Sequence, residues 1–422
     1  KMKLWQLFFL LPTLLIAQIK YDDYFTEKTM RFDFTHFGDK YSEEIGFDKI
    51  IEEGDWAGTK INLIDPFNYG NYKFILKDAD SNKEIFSMGF STLFMEWQTT
   101  EEAKTVKKSF EGSVRFPFPK SKATLEIYRR DKRGNFVKKL EYNIDPQSYF
   151  IVKEMKYKFP NFKVHYSGNS NQKLDIVFVP EGYTKDEIGK FKKDCERLSN
   201  ALFSYEPFSN YENSINIWGV EAESKDSGTD IPGENVWKNT IMSSNFYTFD
   251  SERYLMTTNY FDVRNIAANA PYDQIYIIVN TSKYGGGAIY NYYSLTGADH
   301  KLAGQVFVHE FGHGLAGLAD EYSGDDTYQD FYPLDVEPWE PNVTTLVNFD
   351  SKWKSMLDKD TPIPTPSNDE YKSKLGVFEG GGYVSKGVYR PSVNSLMNSF
   401  SVNEFNPVCK KVLSDFINYY SN

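Results

Sequence analysis

Apolar and polar residues alternate along several short stretches in the first third of the chain. Alternation with a period of two is typical of strands that bury one face of a sheet. Two packed sheets are the usual way in which several such strands bury their apolar faces together. The pattern therefore predicts a β-sandwich domain over residues 20–150 and a linker over 151–168, with candidate strands at 31–37, 72–76, 112–118 and 123–128.

From residue 169 onward, apolar strands alternate with helical segments. A chain of 422 residues is long enough for two domains that each have a core. The expected fold class is therefore α+β and multidomain. The N-terminal sandwich precedes an α/β domain over residues 169–422 with a mixed, twisted sheet, whose candidate strands lie at 174–179, 215–220 and 274–279.

The helices of this second region have recognisable ends. Thr184 and Glu187 form a capping-box sequence, which predicts a helix that begins there and runs to about residue 203. Asp299 is expected to cap a helix that contains residues 308–313. Two more helices are expected, at 249–268 and, closing the chain, at 407–420.

Charge and the N-terminus limit the functional classes. Acidic residues outnumber basic ones by 59 to 48, and the net charge of −11 argues against a nucleic-acid partner. A basic start is followed by an apolar stretch over 4–17, which is too short to span a bilayer. It predicts a signal peptide over residues 1–17, a mature chain without a transmembrane segment, and a secreted, periplasmic or cell-surface location. A buried N-terminal helix is the alternative.

The strongest chemical motif is HExxH at residues 309–313 of a chain that has only five histidines. On a helix, His309 and His313 lie one turn apart on the same face, so that both imidazoles can bind one Zn²⁺ ion. Glu310 would then lie beside a metal-bound water and act as the general base of peptide hydrolysis. The alternative is a pair of helix-face histidines that only make hydrogen bonds.

A catalytic zinc site needs a third protein ligand. Gly317 is placed to end the helix, and the following turn brings Asp320 and Glu321 close to the histidines. The metzincin pattern would place a glycine and a histidine one residue earlier, where this chain has two alanines. From spacing alone, Asp320 and Glu321 are neighbouring rivals for this place. A glutamate from a later helix, Glu337 or Glu340, is less favoured because prolines flank both.

Four segments together resemble the family of bacterial IgA-cleaving metallopeptidases, a metzincin branch with an aspartate as third ligand. They are residues 309–322, 175–183, 226–232 and 394–398.

The resemblance covers roughly residues 165–420. It implies that His309, His313 and Asp320 bind zinc and that Glu310 is the general base and acid. It also implies that Met397 is the Met-turn residue beneath the metal. A lone methionine is more often ordinary core, and only the place of Met397 after the HExxH helix favours the Met-turn role.

Other polar and glycine-rich features have less specific interpretations. The glycine-rich segment 284–293 is either a strand that pairs with substrate backbone or a flexible loop. The cysteines, Cys195 and Cys409, leave a disulfide open. Three aspartates after the motif suggest either a calcium site or a solvated acidic loop: Asp325, Asp326 and Asp330. The three histidines outside the motif are expected not to bind metal: His36, His165 and His300.

The predicted function is that of an exported zinc endopeptidase acting on a polypeptide or glycoprotein. The alternative is a catalytically inactive surface protein that binds glycan or protein and keeps a zinc site. Zinc-dependent hydrolysis of a non-peptide amide is a third possibility. The N-terminal sandwich is expected to be separate and dispensable for the chemistry. The oligomeric state is left open.

Overall fold

Two antiparallel sheets make up the N-terminal part of the computed structural model, which describes residues 19–324 and 331–421. The predicted signal peptide and the three acidic residues of the candidate calcium site lie outside the described residues. After α1 (Tyr21–Tyr24), one sheet has the order β2 (Glu43–Asp55), β1 (Phe25–Gly38), β5 (Lys108–Pro119), and the other has the order β4 (Glu84–Phe90), β3 (Tyr72–Asp78), β6 (Ala123–Arg130), β7 (Phe136–Ile144).

These two sheets pack face to face through a shared aromatic core. Phe32, Phe34 and Phe116 from the first sheet and Phe74 and Phe86 from the second are all buried in one cluster. Every strand pairing in both sheets is antiparallel. The arrangement agrees with the predicted sandwich.

The second region is built on a six-stranded mixed sheet. Its strand order is β12 (Gly286–Ile289), β13 (Tyr293–Gly297), β11 (Gln274–Val279), β9 (Leu174–Glu181), β10 (Ile215–Val220), β8 (Asn161–His165). The four inner strands are parallel, and the two edge strands are antiparallel to their neighbours. The remaining elements are α2 (Leu93–Trp97), which comes earlier in the chain, α3 (Ile188–Phe203), α4 (Tyr260–Ala267), α5 (Ala303–Ala316), the ribbon β14 (Phe378–Gly381) and β15 (Val384–Arg390), and α6 (Pro407–Ser421).

The inner strands are almost continuously apolar because both faces of the sheet are covered. In β9, Ile176 and Phe178 face a core formed with α3, α5 and α6. The alternate residues Val177 and Val179 face a second core, which α4 supplies in part.

The rest of that second core comes from the N-terminal region. Leu93, Phe94 and Trp97 of α2 are fully buried there. Hydrogen bonds also join the two regions: the Ser91 N–H donates to the carbonyl of Tyr290 at 2.9 Å. The sandwich therefore has a core of its own but also shares buried apolar surface with the second region.

Two local predictions also need correction. The segment expected to be a linker contains β8, which pairs with β10 along Asn161–His165. Strand β8 is a half-exposed edge strand, so its apolar signal is weak. The helix expected at 249–268 begins only at Tyr260. Phe249 and Asp250 lie outside any α-helix because their φ values of 54° and 64° are left-handed.

The predicted helix starts have mixed outcomes. The capping box of Thr184 and Glu187 is present and opens a short 3₁₀ turn that leads into α3. Asp299 does not cap the HExxH helix, which begins at Ala303. Its carboxylate instead accepts a hydrogen bond from the Lys190 ammonium at 3.0 Å.

The cysteines and the three histidines outside the motif lie at separate places in the fold. Cys195 and Cys409 are both buried free thiols. His36 is buried, with Nδ1 2.8 Å from a carboxylate oxygen of Glu43. His165 and His300 contact nearby backbone atoms away from the other histidines. Within the described ranges, no helix has the length and apolar character needed to cross a lipid bilayer.

Candidate functional site

The HExxH motif lies in the last turns of α5, and the helix ends where the sequence predicts. Gly317 has φ +60°, and its N–H donates to the carbonyl of His313 at 2.9 Å. This left-handed conformation suits a residue without Cβ and turns the chain back sharply. Three residues later, the turn places Asp320 against the two histidines.

Three potential ligand atoms converge at this point. His309 Nε2 lies 3.0 Å from His313 Nε2. Asp320 Oδ1 lies 3.1 Å from the first of these nitrogens and 3.4 Å from the second. In a tetrahedral zinc site, adjacent ligand atoms are separated by roughly 3.4 Å. The spacing therefore fits one small divalent cation.

Both imidazoles are oriented from behind by backbone carbonyls. His309 Nδ1 lies 3.0 Å from the carbonyl oxygen of Leu396, and His313 Nδ1 lies 2.5 Å from that of Leu318. A carbonyl can only accept a hydrogen bond, so each Nδ1 carries the proton when the imidazole is neutral. Each Nε2 then presents its lone pair, as metal-binding histidines do.

The Asp320 carboxylate is oriented in a similar way. The hydroxyl of Tyr383 donates to Oδ2 at 2.6 Å. The other oxygen, Oδ1, is buried and has no hydrogen-bonding partner in the part of the chain that the structure describes. Three acceptor atoms that face one another need a positive charge between them. The donor set thus fits a metal cation such as Zn²⁺.

The pKa shifts of Asp320 and His313 also indicate that a positive charge is favoured at this point. Burial would raise the pKa of Asp320, but the two histidines outweigh it and hold the pKa well below its usual range. Burial would lower the pKa of His313, but the Asp320 carboxylate raises it to about 9. Both shifts favour a positive charge between the carboxylate and the imidazoles, which is the charge that a bound cation would supply.

Glu310 is half-buried beside the same centre. Its carboxylate lies close enough to both histidines that one oxygen and the two ring nitrogens fall within 4.8 Å of one another. Asp320 is nearer to the histidines and is therefore the better third ligand. Burial raises the pKa of Glu310, and the histidines partly oppose this shift. The position leaves Glu310 available to accept a proton.

The neighbouring rival, Glu321, is committed elsewhere. Its oxygens accept hydrogen bonds from Ser395 Oγ at 2.5 Å, Asn406 Nδ2 at 2.7 Å and Asn342 Nδ2 at 3.0 Å. Burial nevertheless raises the pKa of this carboxyl. Glu321 therefore links the segments that contain Asn342, Ser395 and Asn406 by hydrogen bonds, and its carboxylate does not contact the histidines.

The two later glutamates do not approach the histidines either. Glu337 Oε2 accepts a hydrogen bond from the N–H of Asn348 at 2.8 Å, outside the site. Glu340 lines the cleft, where burial raises its pKa to about 7. Neither residue lies on a helix, so the arrangement with a ligand from a second helix is absent in the described structure.

Met397 packs against the HExxH helix α5. Its side chain is fully buried, and its Sδ is 3.3 Å from the position that a Cβ on Gly312 would occupy. Gly312 stands between the two histidines of the motif. The carbonyl of Met397 also accepts a hydrogen bond from the N–H of Glu321 at 2.8 Å. This is the location that the family resemblance implies.

Comparison with known families agrees with this geometry. A family model described as IgA Peptidase M64 matches residues 162–374 and 367–417, and a second, described as Peptidase M64 N-terminus, matches residues 20–141. The chain belongs to the M64 peptidase family. The resemblance stated from the sequence motifs is thereby confirmed. No curated protein matches the chain. M64 is a family of metallopeptidases, so a metal-dependent peptidase is the functional class that family membership indicates.

The M64 site lies in a cleft of about 490 Å³ that both regions of the chain line. Part of the lining is β12, so the glycine-rich segment contains a strand, while its pairing with substrate backbone stays a prediction. Another part of the lining comes from the N-terminal region and includes Thr92, Met95, Glu96 and Thr99. The N-terminal region thus lines the cleft, and its dispensability for the chemistry stays a prediction.

Several residues of this M64 cleft were not anticipated from the sequence. Glu96 belongs to the N-terminal region, Arg253 and Tyr254 to the segment before α4, and Tyr383 to the hairpin between β14 and β15. None has a recognisable spacing relative to HExxH. Only the repeated glycines around Tyr383 signal a tight turn, and they do not indicate what the turn approaches.

Proposed function

We propose that this M64 protein is a zinc-dependent endopeptidase in which His309, His313 and Asp320 bind the metal. The observation that carries the proposal is the convergence of two imidazole nitrogens and one buried carboxylate oxygen within 3.0–3.4 Å of one another. Nitrogen and carboxylate ligands with an open fourth position are typical of catalytic zinc. The backbone carbonyls and Tyr383 would keep these ligands in place.

The catalytic step relies on Glu310 as general base. When bound, zinc would polarise a water molecule and the substrate carbonyl. Glu310 would accept the proton of that water and then deliver it to the nitrogen of the leaving amine. Its raised pKa supports both tasks, because a carboxylate that holds a proton more firmly is a better base and a usable acid near neutral pH.

Strand β12 supplies a surface for substrate backbone. The N–H and carbonyl of Gly286 are already bonded to Arg253 and Leu255, each at 3.3 Å. Backbone groups that face the same side recur every second residue, so those of Ala288 point outward at the free edge. We propose that an extended polypeptide adds there as a further strand. This mode of binding suits an exposed, extended segment of a protein or glycoprotein.

A cleavage assay with and without metal tests the proposed function. We expect the purified protein to cleave members of a mixed peptide library at internal bonds, to lose this activity with a chelator, and to regain it with stoichiometric Zn²⁺. Mass spectrometry of the products locates the cleaved bonds, and elemental analysis gives the metal content. A zinc-loaded protein that cleaves no peptide would contradict the proposal and favour the binding-protein alternative.

We also propose that the chain is exported, since a basic start and a short apolar stretch over 4–17 have the form of a signal peptide. N-terminal sequencing of protein recovered outside the cytoplasm tests this, and the expected new terminus is Gln18. An intact residue 1 in such protein would contradict it.

A further inference from the structure

A carboxylate from the N-terminal region projects into the cleft without a cationic partner. Glu96 lies in α2, and its Oε2 accepts a hydrogen bond from the hydroxyl of Tyr254. This bond crosses between the two regions of the chain. Among the described residues, Oε1 of Glu96 has no hydrogen-bonding partner, and no Lys, Arg or His lies within 4.0 Å of the carboxylate.

Apolar and aromatic side chains line the same cleft as Glu96, among polar ones. Met95 and Thr99 line the cleft from the same segment, and Phe249 and Tyr254 line it from the second region. The rings of Phe249 and Tyr254 lie 6.0 Å apart. Apolar and aromatic walls beside a carboxylate suit a side chain with an aliphatic stem and a charged end.

The other charged groups that line the cleft already have partners or roles. Glu310 and Asp320 belong to the proposed catalytic centre. Glu340 is buried, and the positive charges of Lys352 and Arg130 already act on its carboxyl. Arg253, a cation at the cleft, has its guanidinium 3.4 Å from the hydroxyl of Tyr322. Glu96 is therefore the carboxylate left to meet a positive charge that enters the cleft.

We propose that Glu96 is a specificity-determining residue that binds a cationic group of the polypeptide substrate, with Tyr254 positioning its carboxylate. The group is an ammonium or guanidinium, carried either by a Lys or Arg side chain or by a free N-terminus. This inference rests on the proposed peptidase function and adds a substrate preference to it. It also gives the N-terminal region a part in substrate selection.

The test uses a scanning series of peptides that share one cleavable sequence. Each position in turn carries Lys, norleucine or Glu, and every peptide is made with a free and with an acetylated N-terminus. Hydrogen bonds to charged groups contribute about 1.5–3 kcal/mol. We therefore expect kcat/KM of the zinc-loaded protein to favour Lys over norleucine about 10- to 100-fold at one position. If the free N-terminus is the bound group, acetylation should instead cause the loss.

Three variants separate a role in specificity from a merely structural one. Glu96→Gln should reduce the Lys to norleucine ratio to near 1, and Glu96→Lys should reverse the preference toward Glu. Tyr254→Phe should reduce the ratio in part, because the carboxylate loses its positioning hydrogen bond. Glu101→Gln is the matched control: this exposed residue, bonded to Lys104 outside the cleft, should leave the ratio unchanged.

The outcomes distinguish this inference from the proposed function. If the zinc-loaded wild-type protein cleaves none of the peptides, the peptidase proposal fails. If it cleaves them with no preference for a cation, or if Glu96→Gln keeps the wild-type ratio, only the role of Glu96 is overturned. Should the Glu96 variants fail to fold, the wild-type ratios and those of Tyr254→Phe still decide the question.

Discussion

Replacing Glu310 by glutamine should lower peptide turnover about 10²- to 10⁴-fold while the protein stays folded and keeps its metal. The amide has nearly the same shape as the carboxylate but cannot accept a proton from water. General acid–base catalysis typically contributes a factor of this size. Because Glu310 is not one of the three converging ligands, zinc binding should be nearly unaffected. Single-turnover cleavage rates and zinc content per chain measure the two effects separately.

The control for this variant is the same substitution at Glu212, an exposed residue that does not line the cleft. Among the described residues, its carboxylate makes a single long contact of 4.0 Å with His165. The control should cleave peptide at the wild-type rate. Retention of wild-type turnover by Glu310→Gln would show that another group takes the proton. Loss of zinc together with turnover would instead mean that Glu310 acts as a ligand.

The helical part of the site follows from the sequence alone. The spacing of His309 and His313 fixes them on one face of α5, and Gly317 marks the end of that helix in a left-handed conformation. These are local relations within a dozen residues. They do not depend on how the rest of the chain folds, so a motif is enough to predict them.

The choice between two adjacent carboxylates could not be made in the same way. Asp320 and Glu321 are equally close to the helix along the chain. What separates them in the structure is the set of distant partners: Asn342, Ser395 and Asn406 hold the side chain of Glu321 behind the site. Spacing does not reveal such contacts, and the family resemblance was needed to favour Asp320.

The part of the cleft that the N-terminal region lines could not be predicted from the sequence either, because it also depends on contacts between distant segments. The strands of the sandwich were visible as alternating apolar positions, but α2 gave no sign that it would pack into the second core. Its residues Leu93, Phe94 and Trp97 are apolar enough to belong to either region. Contacts between segments about 150 residues apart, such as Glu96 with Tyr254, depend on the docking of the two regions.

Substitution of Asp320 should weaken metal binding, whereas substitution of Glu321 should lower the stability of the fold. Asp320→Ala removes a proposed ligand, and we expect zinc affinity to fall by more than the roughly 10- to 100-fold that loss of an outer-shell partner causes. Turnover should fall with it. Glu321→Gln should keep zinc, but it replaces an acceptor of several buried hydrogen bonds. We expect it to lower the free energy of unfolding by about 1–3 kcal/mol.

Zinc titration against a competing chelator and denaturant unfolding of the metal-free protein measure these two quantities. Tyr383→Phe gives an intermediate case: it keeps all three ligands but removes the hydroxyl that orients Asp320 Oδ2, so zinc affinity should fall about 10- to 100-fold. Unchanged zinc content in Asp320→Ala together with zinc loss in Glu321→Gln would transfer the third-ligand role to Glu321. The hydrogen bonds that hold Glu321 behind the site would then have to break when metal binds, and the Ser395→Ala variant should bind zinc more tightly than the wild type.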